Sequence, residues 1–441
     1  MQNKIDAIFK KHFSKIGTTL RPEQIETIAS VVSGKNTLCL MPTGAGKSLC
    51  YWIAGKYLGG TTIVISPLTA LMDEQALKLS SDHSIQVSVF HSGISTKSQI
   101  SNLKEIYSGV LPNFIFLSPE RLATDGLLEY TLRKIKDKIN LIVIDEIHCI
   151  SQWGSDFRPF YKEIPHSINS IFNDGRKPPI LGLTATLNPK DKEEICLDFG
   201  IALNNIITSK FLLRLGISTT VVKVKDEDEK DDLFWKLIND HKDEKILVYL
   251  DRKSGKRSTE ELSAKAISLG YSATYFHSDL QSDLKAGIIS DFKSGKVKLV
   301  FATNAFGMGI DVHDIRGIVH YLIPESTEQY YQQIGRAGRD GHSAWATLFY
   351  SEKNISVRKT HFIDKSFPVL DDINQAFKTL SGNQTNLKTF IYFEEDNTKS
   401  AYHYLLRSEA ISFLNKGVQN IKVYEKVKHI PESVSKVKNN L

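Results

Sequence analysis

Cysteine is scarce in this chain: four in 441 residues, Cys39, Cys50, Cys149 and Cys196, each standing alone. No C-x-x-C pair occurs, so neither a disulfide framework nor a paired-thiolate metal site is expected, and a reducing, intracellular setting follows. Long apolar runs are also missing. None approaches the roughly 20 residues that cross a bilayer. The N-terminal MQNKIDAIFKKHF has the period of an amphipathic helix rather than the composition of a secretory leader. A soluble, cytoplasmic protein with no membrane partner is expected, nucleoid-associated and nuclear settings staying open. Neither sign of charge dominates: 56 Lys and Arg stand against 50 Asp and Glu, a formal +6. Such a balance tolerates a polyanion without announcing one. Internal repeats and low-complexity tracts are absent.

What is present is a rhythm. A chain of 441 residues exceeds what one core usually supports, so two or three domains are expected. TLCL, TTIVIS, QVSVF, NFIFLS, LIVID and ILGLT are short apolar runs, β-branched residues prominent among them, alternating with helical stretches. Runs apolar on both faces predict a parallel sheet covered by helices on two sides, an α/β fold. The charged stretch Val224 to Asp232 interrupts this pattern and reads as a solvated connector. The rhythm then restarts with KILVYL, SATYF, KLVFAT, GIVHYL and ATLFY. Beyond Lys353 the character changes. DDINQAFKTLSG and TKSAYHYLLRSEAISFLNKG predict helices closed by Gly, and IKVYEKVKHI alternates like a hairpin strand, together a small α+β, winged-helix-like module.

Two stretches carry chemistry. TLCLMPTGAGKSLCYW places a buried strand, a Gly-containing turn and a helix in succession. Amides of such a turn converge on an anion; Lys47 reaches the β and γ phosphates and Ser48 holds Mg²⁺, so a nucleoside triphosphate is the expected ligand. Met41 stands where the general pattern has Gly. Next, VIDEIHCISQWGSDFRPFY ends an apolar run in Asp145 and Glu146. Adjacent acids at a strand end equally suit a helix start, but downstream of a phosphate loop Asp145 is expected at the metal and Glu146 behind the attacking water. The loop that follows breaks every period and carries Trp153, Phe157, Arg158 and Phe160, side chains suited to stacking on unpaired bases and pairing with phosphate. Further on, Arg336 and Arg339 in QQIGRAGRDG have the reach of arginine fingers.

LRPEQ, MPTGAGKSLCY, SPLTALMDEQ, LSPERL, DEIHCISQWGSDFRPFY, LTAT, FATNAFGMGID and YYQQIGRAGRDG closely resemble, in this order, the motifs of RecQ-family superfamily 2 DNA helicases. The resemblance implies two tandem RecA-like domains, residues 1–208 and 209–352, with an accessory module at 353–441. It implies ATP and Mg²⁺ as cofactors and single-stranded and duplex DNA as partners. Movement would run 3′ to 5′. By the same likeness Arg21 and Gln24 recognise adenine, and Thr43, Gly44, Gly46, Lys47 and Ser48 cradle the phosphates. His148 and Thr184 to Thr186 couple hydrolysis to movement. Thr303 contacts nucleic acid and Asp311 the ribose. Three departures stand out: Ile147 where the family has Ala, a bulkier side chain that requires local repacking; Asp279 where it often has Gly; and VYLDRKSG in place of its Cys-containing motif IV. With no Cys beyond Cys196, the family's four-Cys zinc module has no ligands here and no zinc is expected. The tail would be either a stripped-down winged-helix-like replacement or a docking module for a protein partner. An RNA helicase or remodeller, and a nucleotide-switched subunit of a larger complex, remain the alternatives.

Overall fold

Each short apolar run that the sequence marks as a strand between Thr37 and Tyr350 forms one. In the computed structural model, residues 1–14, 17, 19–42, 44–82, 84–150, 159–209, 216–307, 310, 312–363 and 369–382 are described. Among these lie two wholly parallel sheets. The first contains β1 (Thr37–Leu40), β2 (Thr61–Ile65), β3 (Val87–Phe90), β4 (Phe114–Leu117), β5 (Ile139–Ile144), β6 (Ile180–Thr184) and β7 (Ile206–Thr208). Their spatial order is β3-β4-β2-β5-β6-β1-β7. Alternate residues of these strands feed two cores. Leu38, Ile63, Ile65, Ile142 and Ile144 pack on one face, and Cys39, Val64, Leu141, Val143 and Leu183 on the other. Each fully buried aliphatic side chain contributes about 1.5–3 kcal/mol, so the sheet is held from both sides. Because the strands are parallel, their C-terminal ends share one edge, where β1 delivers the phosphate loop and β5 the acids.

The second sheet contains β8 (Ile217–Lys223), β9 (Ile246–Tyr249), β10 (Ala273–Phe276), β11 (Leu299–Ala302), β12 (Gly317–His320) and β13 (Ala344–Tyr350), in the order β10-β11-β9-β12-β13-β8. β7 and β8 are additions to the sequence reading. Both are edge strands, and most of β8 faces solvent, so neither carries a buried run to betray it.

The stretch Val224–Asp232 is not a connector. It follows β8 within the second sheet's own fold and opens the helix Glu227–Asp240, capped by Asp226, whose carboxylate accepts from the Glu229 amide at 2.8 Å. Three acids in that first turn favour the helix dipole. Lys230, in the middle of the run, is fully buried rather than solvated.

At the N-terminus, the helix Gln2–Ile8 continues as wider turns through Phe13 and buries Ile5, Phe9 and Phe13, as its amphipathic period predicts. Phe13 stacks on Trp52 with ring centres 5.7 Å apart. The helix Leu370–Gly382 realises DDINQAFKTLSG; the later predicted helix and hairpin strand lie outside the described residues. No helix among the described residues is long and apolar enough to cross a membrane.

The extra bulk of Ile147 is accommodated by a glycine. Ile147 is wholly buried, and Gly182 of β6 faces it so closely that a Cβ there would meet Ile147 Cδ1 at 2.7 Å.

Candidate active site

Leaving β1, the chain turns through Gly44 and Gly46, both left-handed at φ +73° and +82°, into the helix Lys47–Leu58. Glycine is required at 46 twice over: for that φ, and because a Cβ would come within 2.6 Å of Gln24 Nε2. Gln24 sits on the helix Pro22–Val32 and clamps the loop. Its Oε1 accepts from the Arg21 amide at 2.8 Å, and its Nε2 donates to the carbonyls of Ala45 and Gly46, each at 3.1 Å. Arg21, at the N-cap, is exposed beside it. Lys47 Nζ donates to the Met41 carbonyl at 3.3 Å, folded back over its own loop. Ser48 Oγ accepts from Gln75 Nε2 at 3.0 Å, and the Tyr51 hydroxyl bonds Gln75 Oε1 in turn. Thr43 lies outside the described residues.

The acids stand at the end of β5. Asp145 is 6% exposed; its Oδ1 accepts from the Glu146 amide at 3.1 Å and Ser66 Oγ lies 3.4 Å from Oδ2. Burial, reinforced by the Glu146 carboxylate, raises the Asp145 pKa to about 7 against the pull of Lys47. Glu146 goes the other way. Burial opposes its ionisation, but Lys47, His148 and Arg336 outweigh it and lower its pKa to about 2. Two adjacent carboxyls are thereby driven apart, the arrangement expected where acid and base roles divide. Glu146 also has φ +47°, a left-handed conformation that costs a non-glycine residue about 1–3 kcal/mol and persists where surroundings impose it. Its Oε2 is buried without a hydrogen bond, 3.3 Å from His148 Nδ1.

His148 joins the two halves. Its Nδ1 bonds Thr184 Oγ1 at 2.9 Å, and Thr184 Oγ1 donates to the Thr186 carbonyl at 2.8 Å. On its other side, Nε2 lies 3.0 Å from Nε2 of Gln332, on the helix Thr327–Ile334 of the second sheet's unit. Burial disfavours the imidazolium, but the Cys149 sulfur and Glu146 carboxylate prevail and raise its pKa to about 10. A charged ring donates from both nitrogens, so the Gln332 carboxamide would accept from Nε2 with its two amide atoms exchanged.

Arg336 follows that helix and is buried, its Nε without a hydrogen bond and its charge felt at Glu146. Arg339 donates from Nη1 toward the Ile310 carbonyl at 3.5 Å. Thr303 follows β11, half-buried, and its Oγ1 accepts from the Ala305 amide at 3.4 Å. Thus Arg21, Gln24, Gly44, Gly46, Lys47, Ser48, Asp145, Glu146 and His148 gather in the first unit, while Thr303, Arg336 and Arg339 belong to the second. Trp153, Phe157, Arg158 and Asp311 lie outside the described residues. Two neighbours of the aromatic loop are described: Phe160 is half-buried, and Tyr161 is wholly buried, its hydroxyl donating to the Asp145 carbonyl at 2.8 Å.

Sequence reasoning missed the connecting amides. Gln75 supports Ser48, and Gln332 meets His148. Gln333 donates to Asn304 Oδ1 at 3.0 Å and accepts from His320 Nε2 at 2.8 Å. Only the doubled Gln332 and Gln333, about one turn before Arg336, offered a signal.

Two parallel α/β sheets, one with a phosphate loop and the other with an arginine-bearing helix, define the tandem RecA-like architecture of helicases. Comparison with known proteins agrees. Residues 21–195 match the DEAD/DEAH box helicase family and residues 229–341 the helicase conserved C-terminal domain. The chain is 35% identical over 341 residues to the ATP-dependent DNA helicase RecQ of Bacillus subtilis, covering 77% of this chain and 55% of that protein. It is 33% identical over 388 residues to the putative ATP-dependent RNA helicase R290 of Acanthamoeba polyphaga mimivirus, covering 85% and 67%. The structure of the Mycobacterium smegmatis helicase Lhr bound to ssDNA and AMP-PNP superposes with a TM-score of 0.62 at 20% identity, over 86% of this chain and 50% of that one. The chain belongs to the RecQ family of superfamily 2 helicases, and it spans about half the length of the Bacillus RecQ relative it matches.

Proposed function

We propose that the chain is an ATP-dependent DNA motor of RecQ type, moving 3′ to 5′ on single strands and unwinding duplex, with units at 1–208 and 209–352 and an accessory, partner-docking module at 353–441. The observation that carries it is the 3.0 Å contact between His148, beside the acids, and Gln332, one turn before Arg336. A site assembled from both units changes whenever they open or close, and such closure is how nucleotide turnover becomes movement.

The residues fit ATP and Mg²⁺. The two left-handed glycines leave the phosphate loop free of side chains, and Asp145, held at about 7 by burial, is a carboxyl whose ionisation a cation would favour. Lys47 would hold the β and γ phosphates, Ser48 and Asp145 would hold the metal, and Arg21 would flank the base. Bound Mg²⁺ would neutralise charge on the phosphates. Glu146, ionised and with Oε2 unbonded, would orient water and accept its proton. Arg336 and Arg339 would stabilise charge developing on the γ-phosphate. Trp153, Phe157, Arg158 and Thr303 would grip the strand, and Asp311 the ribose.

The name of the viral relative favours a second reading, an RNA-directed motor. Both are tested by ATP hydrolysis at fixed salt without polymer and with single-stranded DNA, duplex DNA and RNA of equal length. Stimulation by single-stranded DNA alone supports the first reading and stimulation by RNA the second; none by any polymer would sink both and favour a nucleotide-switched subunit. Lys47→Ala should abolish turnover in every case.

A further inference from the structure

The second sheet has a ligand-sized cavity away from the nucleotide cleft. β9 lies between β11 and β12. The chain leaving β9 runs to β10 on one side, and the chain leaving β12 runs to β13 on the other. The crevice between the ends of β9 and β12 is therefore the sheet's switch point, where open α/β sheets bind ligands. A cavity of about 260 Å³ opens there. Its walls are the loop after β9, the residues after β12, and the helix Glu352–Val357 with Arg358.

That loop reads LDRKSGKRS, Leu250 to Ser258, and it is rigidly built. Gly255 and Arg257 are both left-handed, at φ +87° and +56°. Arg257 keeps this costly conformation because its side chain is fastened to Asp231, at 2.9 and 3.1 Å, and to Asp228 at 3.2 Å. The Thr259 amide donates to the Arg252 carbonyl at 2.9 Å and its hydroxyl to the Lys253 carbonyl at 2.9 Å. These bonds use the opening of the following helix, so recognition falls to side chains.

The side chains lining the cavity leave positive charge over. Asp251 is paired with Arg358 at 2.5 Å and Glu227 with Lys230 at 2.8 Å. Of the other cations that line it, Arg252 shares Asp251 with Arg358, while Lys256 and Lys353 have no acidic partner among the described residues. Leu322, Ile323 and Val357 supply an apolar wall. Cations around a concavity with one apolar side suit a phosphate carried on a less polar body. Two unpaired lysines, with Arg252 only shared, match the double charge of a monoester better than the single charge of a diester, and a concavity accepts an end rather than a continuous strand.

We propose that this cavity is a second, non-catalytic anion site that takes a terminal phosphate, a phosphomonoester or polyphosphate, carried by a free nucleotide or by a phosphorylated strand end. No residue of the nucleotide cleft takes part, so the inference goes beyond the motor reading and stands or falls separately from it.

The test removes the phosphate loop's contribution with Lys47→Ala and titrates that protein calorimetrically with ADP, with a 5′-phosphorylated trinucleotide and with its unphosphorylated twin. Saturable binding of either phosphorylated probe, at least 10-fold tighter than of the twin, is expected. Adding Arg252→Ala and Lys256→Ala should weaken it at least 10-fold, and Lys353→Ala, on a separate element, should weaken it independently should the double variant fold poorly. In the otherwise wild-type chain the same changes should leave basal ATP hydrolysis unchanged. Binding of ADP alone identifies a free nucleotide as the source; binding of the trinucleotide alone identifies a strand end. No binding to Lys47→Ala protein, equal binding of the twin, or binding indifferent to Arg252, Lys256 and Lys353 would each overturn the proposal.

Discussion

Gly182→Ala tests whether the packing beneath the acidic box governs its chemistry. The new Cβ would stand 2.7 Å from Ile147 Cδ1 and 3.3 Å from Leu38 Cδ1. One must give way, and overpacking of this kind costs about 1–3 kcal/mol. For a unit of this size each kcal/mol lowers Tm by about 2–4 °C, so a fall of about 2–12 °C is expected in thermal melting. Ile147 lies between Glu146 and His148, so its displacement should also lower kcat for ATP hydrolysis. Ile147→Val removes the colliding Cδ1 at a cost of its own of about 0.5–1.5 kcal/mol. Combined with Gly182→Ala, it should recover stability and kcat together, a coupling of about 0.5–3 kcal/mol. A variant that melts like wild type, or two losses that simply add, would refute the reasoning.

Other outcomes follow from the same geometry. Gln332→Leu removes one hydrogen bond across the cleft, so kcat should fall about 2- to 13-fold, as expected from losing about 0.5–1.5 kcal/mol; KM for ATP should barely move, and steady-state kinetics would show it. Trp153→Ala should leave basal hydrolysis nearly intact while removing most stimulation by single strands; equal loss of both would make Trp153 a core residue. His320 is buried and its pKa is lowered to about 4 by that burial, the bond to Gln333 opposing the shift. The fold therefore favours the neutral ring: the stabilisation is complete above its ordinary value near 6.5 and disappears as pH falls to about 4. The difference is worth up to about 3 kcal/mol, and urea melts of His320→Gln across that window should lose less stability than the wild type.

How much of this was legible depends on how local each signal is. The phosphate loop and the Asp145–Glu146 pair are written in consecutive residues, strand then turn then acid, so periodicity and chemistry agree without any tertiary knowledge. The connecting amides are different. Gln75, Gln332 and Gln333 act through partners up to 184 residues away, and an uncharged amide on a helix looks the same whether it faces solvent or a neighbour. Edge strands hide for another reason: β8, ISTTVVK, is mostly exposed and, among the described residues, pairs only with β13, so no buried run marks it. Val224 to Asp232 misleads because charge reads as solvation, whereas here it builds a helix start and buries Lys230. Tyr161 sits at the end of a loop read as surface, yet it is core because its hydroxyl finds the Asp145 carbonyl.

That hydroxyl holds one of the two described residues that flank the aromatic stretch. Ile150, 1% exposed, anchors one end in the core, and Tyr161 binds the other to the peptide that carries Asp145. Were a strand to grip the residues between them, as proposed, the pull would reach the acid's own backbone, and the exchange would have to run both ways. Whatever factor a strand contributes to nucleotide affinity through this anchor, nucleotide must return to strand affinity. A single tyrosine hydroxyl would then set the exchange rate between holding fuel and holding track.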